Sequence, residues 1–157
     1  MTNDNPNPVA GGSAAGTCGA SSAGASKLDG TANRAMRVSA GYALFIDLTG
    51  QKVVVVGGGP VAERKVQTVL PFGAEVTVVS PKLTETLRSL AASGAISWID
   101  RAYRWGDLTG ARMVFSACGN PEVDDLVCDE AHAVRALINV VDVPSKCEFI
   151  VPSTVER

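Results

Sequence analysis

From Tyr42 onward, short unbroken apolar runs alternate with stretches in which apolar residues recur at helical spacing. Lys52-Val53-Val54-Val55-Val56 is too short for a helix and reads as a strand buried on both faces. From about Gly59 to Leu70, the apolar positions Ala62, Val66, Val69 and Leu70 mark one helix face. Glu75–Val79 is the second strand. Ser80-Pro81 predicts a helix start, with serine as N-cap and proline at the first helical position. Leu83, Leu87, Leu90 and Ala91 supply that helix's inner face, and Gly94 closes it in a left-handed cap. A short strand is expected near Ile96–Ile99 and another at Arg112–Ser116. Asn120-Pro121 repeats the cap-and-proline start, with Val123, Leu126, Val127 and Val134 turned inward. Leu137–Val141 is a fifth strand, and Glu148–Val151 is expected to add a last one.

Strands alternating with helices predict an α/β protein, a Rossmann-type doubly wound and mostly parallel sheet with helices on both faces. Residues 1–41 differ: they are rich in Ala, Gly, Ser and Asn, and every aromatic residue lies after them. Such a segment buries too little surface to offset its ordering entropy, so it reads as a disordered low-complexity tail before a domain at 42–157. It lacks the Arg-rich amphipathic character of a transit peptide, and a start at Met36 is the alternative.

Composition narrows the function by exclusion. A net charge of −2 with no basic stripe argues against nucleic acid as partner. No apolar run reaches the length of a membrane span. Cys18, Cys118, Cys128 and Cys147 are scattered, with no CxxC pair and no zinc spacing, and no secretory h-region precedes them. The chain therefore reads as cytoplasmic, with reduced thiols. The single His132 falls in a helical pattern as a surface or packing residue.

Chemistry concentrates where the first strand ends. Gly57-Gly58-Gly59-Pro60-Val61-Ala62 follows the valine run without a spacer, and Gly57-x-Gly59-x-x-Ala62 fits the dinucleotide fingerprint. Gly57 allows the sharp turn, Gly59 lets a pyrophosphate approach the backbone, and Ala62 lets the helix pack close. Free N–H groups at the helix start then face the diphosphate. This points to NAD or a relative. The alternative is a Gly-rich turn in an ordinary βαβ unit.

Ligands of such sheets bind beyond the carboxyl ends of the strands, so each strand end is a candidate. Strand two ends at Ser80-Pro81-Lys82 with no acid for the ribose; Ser80 has a hydrogen bond to offer and Lys82 suits a 2′-phosphate, so these residues do not choose between NAD and NADP. Ala117 and Cys118 end strand four and line the cofactor, the thiol as a packing or lining group rather than a nucleophile. Asp142 leaves strand five at the rim where the nicotinamide belongs, and a carboxylate there takes a proton as a hydride leaves; the alternative is a turn-forming Asp before Pro144. Arg64 and Lys65 oppose the helix dipole, which an anionic ligand would explain as readily as solvation beside Glu63.

The stretch from Tyr42 to Arg157 also resembles the NAD-binding domain of siroheme synthase, the family of precorrin-2 dehydrogenase/sirohydrochlorin ferrochelatase. The likeness runs through Phe45-Ile46-Asp47-Leu48-Thr49-Gly50, Val54 to Lys65, Gly73 to Pro81, Ile96-x-Trp98, Arg101-x-Tyr103, Asp107-Leu108 and Gly110-Ala111. Its most specific piece is Asn139-Val140-Val141-Asp142-x-Pro144 followed by Cys147-x-Phe149-Ile150-x-Pro152. The resemblance implies NAD-dependent oxidation of precorrin-2 to sirohydrochlorin, towards siroheme or cobalamin, with ferrous iron insertion in some members. It places the family's catalytic aspartate on Asp142 and offers the substrate's carboxylates as partners for Arg64 and Lys65. Members often carry Ala-Thr where this chain has Ala117-Cys118, and Asn where it has Asp124. They continue past the position of Arg157 into a Ser/Gly-rich segment and a helical region that makes a homodimer and covers the tetrapyrrole. The expectation is an enzyme of this type; an NAD-binding module, or a truncated remnant without full activity, is the alternative.

Overall fold

A computed structural model describes residues 41–151; the predicted tail, Cys18, Met36 and Pro152 lie outside the described residues. Five strands form one all-parallel sheet: β1 (Lys52–Val56), β2 (Glu75–Val79), β3 (Ser97–Ile99), β4 (Met113–Ser116) and β5 (Leu137–Val140). Their spatial order is β3-β2-β1-β4-β5. The chain thus winds one way from β1 to β2 and the other way to β4, which makes the β1/β4 boundary the switch point of a doubly wound sheet. Three helices cover it, α1 (Pro60–Val69), α2 (Glu85–Ala92) and α3 (Pro121–Val134).

The valine run explains why β1 is central. Val53 and Val55 face one core with Ala62, Val66 and Val69 of α1 and Leu87 of α2. Val54 and Val56 face the other, with Val127, Cys128 and Ala131 of α3 and Leu108 of the loop before β4. All four valines are 2 % exposed or less, and each such side chain contributes about 2 kcal/mol through burial. No polar position interrupts β1 because neither face meets water.

Three predicted details are corrected. Ser80-Pro81 does not start α2: the N-cap is Thr84, whose hydroxyl accepts from the Leu87 N–H at 3.3 Å. The Ser80 hydroxyl instead donates to the Lys82 carbonyl at 2.7 Å, forming a local turn that competes with helix initiation. Leu126 does not face inward; it is 52 % exposed, and the inner face of α3 runs through Asp124, Val127, Cys128 and Ala131. Residues 148–151 form no strand. Glu148 donates its N–H to the Ile138 carbonyl, but Asn139 takes the Phe149 carbonyl with its side chain, so a ladder does not propagate.

Two other predicted caps hold. Asn120 caps α3 by accepting from the Glu122 N–H at 3.0 Å, with Pro121 first in the helix. Gly94 adopts φ +76° just past α2, as a left-handed cap requires.

Candidate functional site

The ladder continues one residue beyond β1, β4 and β5 and brings these three strand ends level. Gly57 donates to Val79, Ala117 to Val56 and Val141 to Ser116, at 2.9, 2.8 and 2.9 Å. The residues that follow, Gly58-Gly59, Cys118-Gly119 and Asp142, therefore stand along one edge. A groove of about 410 Å³ lies elsewhere, between residues 46–49 and 71–73, where β1 and β2 begin.

The three glycines have three different tasks. Gly57 has φ +116°, and a Cβ there would lie 2.5 Å from the Ala117 carbonyl oxygen. Only glycine fits both the torsion and the approach of the β4 end. A Cβ on Gly58 would lie 2.0 Å from the Lys82 carbonyl oxygen, so this residue packs the turn against the loop after β2. Its carbonyl also receives the Thr84 N–H at 3.0 Å. At Gly59 a Cβ would meet nothing within 4 Å. Gly59 caps α1 without a side chain, and among the described residues the N–H groups of Gly59, Val61 and Ala62 have no acceptor. Open space over unpaired amides at a helix N-terminus is what a diphosphate requires, so the residues present fit a dinucleotide. Glu63 braces this start: its carboxylate accepts the Thr84 hydroxyl at 2.5 Å and so ties α1 to the cap of α2.

Other predicted residues are placed less simply. Ser80 is buried, its hydroxyl proton is committed to Lys82, and Trp98 donates to its carbonyl at 2.8 Å. It shapes the loop, while Pro81 and Lys82 are exposed beyond it. Arg64 is exposed; Lys65 leans across the sheet, its ammonium 5.7 Å from the centre of the Phe115 ring. Cys118 is exposed as a residue, yet its sulfur turns towards Asp124 Oδ1 at 3.5 Å. Burial raises that thiol above its ordinary range, and the Asp124 carboxylate adds to the rise, which suits a lining group rather than a nucleophile.

Asp142 occupies the turn after β5 with φ +61°. It is exposed, and among the described residues no hydrogen bond or ion pair engages its carboxylate. Asp tolerates this left-handed region better than most residues, which fits the predicted turn role and leaves the carboxylate free.

Several residues with paired polar side chains escaped sequence reasoning. Asp124, 5 % exposed, accepts the buried Ser116 hydroxyl at 2.5 Å in the first turns of α3, where the helix dipole favours a carboxylate. Glu130, 1 % exposed, accepts the Tyr103 hydroxyl and the Leu108 N–H. Burial first, then that bond to Glu130, pushes the Tyr103 phenol far up. Arg101 and Asp107 form a bidentate pair at 2.8 and 2.6 Å that closes the loop between β3 and β4. The sequence signals for these were the spacing of Arg101, Tyr103 and Asp107 within the family likeness and the departure from it at Asp124; Glu130 carried none. Among the described residues no group of three or more His, Cys, Asp or Glu is arranged to hold a metal ion, and no helix is long and apolar enough to cross a membrane.

A parallel sheet with a glycine turn and open amides at its switch point defines a dinucleotide-binding domain. The family of putative NAD(P)-binding domains matches residues 44–153, and the chain belongs to it. It is similar to siroheme synthase 3 of Aeromonas hydrophila, 42 % identical over 114 residues that make up 73 % of this chain and 24 % of that protein. The siroheme synthase of Methylobacillus flagellatus is 43 % identical over the same shares. The chain thus spans about a quarter of the length of these relatives. Among solved structures it is similar to SirC, precorrin-2 dehydrogenase, with a TM-score of 0.64 and 26 % identity over 74 % of this chain and 57 % of that one. The resemblance read from the sequence is borne out.

Proposed function

We propose that the chain is the cofactor-binding part of an NAD-dependent dehydrogenase that oxidises precorrin-2 to sirohydrochlorin. The observation that carries this reading is the presence of the open glycine turn and the free Asp142 carboxylate on one sheet edge, in a chain similar to SirC. The amides of Gly59, Val61 and Ala62 hold the diphosphate, Gly57 and Gly58 keep the turn in place, and Pro60 starts α1. Lys82, Pro81 and the Ser80 loop border the adenosine side; Ala117 and Cys118 border the nicotinamide side. When bound, the nicotinamide ring supplies the hydride acceptor. Removing two hydrogens from a macrocycle as hydride and proton requires a base, and a carboxylate oxygen of Asp142 takes the proton. The thiols Cys118, Cys128 and Cys147 are free, as suits a cytoplasmic enzyme.

Incubating the protein with precorrin-2 and NAD should develop sirohydrochlorin absorbance, and Asp142→Ala should abolish most of it. An equally active Asp142→Ala protein would refute the assignment. A second reading is a dinucleotide-binding module without its own chemistry, which the open glycine turn alone would support. Calorimetric NAD binding by the same preparation, without turnover, would favour it.

A further inference from the structure

The turn that carries Asp142 is held by side chains, not by a ladder. We propose that Cys147, backed by Asn139, is a positioning residue: its thiol clamps the two ends of the turn and so fixes the direction in which Asp142 presents its carboxylate. The proposal rests on the reading in which Asp142 moves a proton.

The Cys147 thiol hydrogen is shared between the carbonyl oxygens of Val140 at 3.1 Å and Val143 at 3.4 Å. Those residues bracket Val141-Asp142, so one donor spans the turn. The sulfur in turn accepts from the Asn139 side-chain amide at 3.6 Å, and the second hydrogen of that amide goes to the Phe149 carbonyl at 2.8 Å. Asn139 is 7 % exposed, which makes these partners hard to replace by water. Phe149 seats the strap by an edge-on contact with Phe115, ring centres 5.4 Å apart. Lys146 fastens it to Asp125 of α3 at 2.6 Å. Within the turn the backbone offers only the Val143 N–H to the Val140 carbonyl, at 3.3 Å. A non-glycine residue at φ +61° persists where its surroundings over-determine it, and here the surroundings are the clamp. Burial raises the Cys147 thiol above its ordinary range, so the donor proton stays in place at neutral pH.

Three variants of the full chain test this. Cys147→Val fills the volume without a donor, Cys147→Ser keeps a donor, and Cys147→Ala removes both. Amide hydrogen exchange reads the clamp directly. Val143 should exchange about tenfold faster in the Val and Ala variants and recover in the Ser variant, while Val141, bonded to Ser116 in the ladder, stays protected. With precorrin-2 and NAD, kcat should fall about tenfold in the Val and Ala variants and return towards the parent in the Ser variant, at unchanged NAD affinity. Unchanged Val143 exchange shows that there is no clamp. Faster exchange with parental kcat shows that the clamp does not position the carboxylate. A parent protein without turnover defeats the dehydrogenase reading, and the catalytic purpose of the clamp with it, while the exchange rates still decide whether the clamp exists.

Discussion

The turns after β1 and after β5 lie on one edge of one sheet, yet they are shaped by opposite means. At Gly57 the backbone adopts φ +116° because nothing is there: a Cβ would strike the Ala117 carbonyl. At Asp142 it adopts φ +61° while carrying a side chain, held by bonds from residues before and after it in the chain. The first turn is specified by the absence of atoms, at Gly57 against the Ala117 carbonyl and at Gly58 against the Lys82 carbonyl. The second is specified by Asn139 and Cys147. The proposed diphosphate site suits the first solution, because bare amides are its binding groups. The proposed role of Asp142 in proton transfer suits the second, because a reactive side chain must be displayed and aimed.

The sharpest way to break this contrast is to add one methyl group in two places. Gly57→Ala meets both a forbidding torsion and a 2.5 Å contact with backbone, and should cost on the order of 3 kcal/mol, a large part of a small domain's stability. Gly59→Ala enters open space at φ −85° and should cost within about 1 kcal/mol, the loss of a good N-cap. Its NAD dissociation constant, by calorimetry, should rise about tenfold or more. If Gly59→Ala binds NAD like the parent, the diphosphate does not pass over this residue. At the other turn, Asp142→Asn keeps a residue tolerant of φ > 0 and should leave thermal unfolding unchanged, but lower kcat about a hundredfold.

The contrast also explains what could be read in advance. The β1 turn was legible because strand, glycines and helix follow one another, although the carbonyls that Gly57 and Gly58 approach, those of Ala117 and Lys82, were not. The five strands were legible from their apolar runs and the helix faces from period, apart from Leu126 and the extra strand expected at Glu148–Val151. What stayed hidden depends on pairing across distance. Nothing in Glu130 announces the Tyr103 hydroxyl, 27 residues earlier. Nothing near Cys147 says that its partner carbonyls belong to Val140 and Val143. Ser80-Pro81 misled because serine forms a local turn as readily as a cap, and the competing cap, Thr84, is stabilised by Glu63 on another helix.

A smaller effect separates charge from hydrogen bonding beside the β4 end. Asp124→Ala leaves the Ser116 hydroxyl, in a residue 1 % exposed, without its acceptor and should cost about 2 kcal/mol in urea unfolding. Asp124→Asn keeps an acceptor oxygen and should cost less than half of that, in line with the Asn often found at this place in the family the chain resembles. Equal losses would mean that the carboxylate's charge, not the bond, supports the β4 end.

The smallest effect concerns the loop between β3 and β4, which uses a third device, an ion pair. The Arg101 guanidinium, with help from the Arg104 N–H, holds the Asp107 carboxyl below its usual value of 3.8. A carboxyl lowered on folding adds stability that is present above the unfolded value and is lost as pH falls through the folded one. The Asp107 contribution should therefore be intact at neutral pH, begin to fade only below about pH 4, and be lost once the pH has fallen through the lowered folded value. The Arg101 side chain reaches solvent, so screening keeps the contribution small. Asp107→Asn should shift the acid unfolding midpoint only slightly and remove the part of the acid limb that responds to added salt. The exchange protection of Gly57 and Val141, whose N–H groups belong to the ladder, should be untouched, since neither turn draws on this pair. Loss of protection at Gly57 in the Asp107→Asn protein would show that the loop and the glycine turn form one cooperative unit, and the contrast between a turn shaped by missing side chains and one held by side-chain bonds would fail.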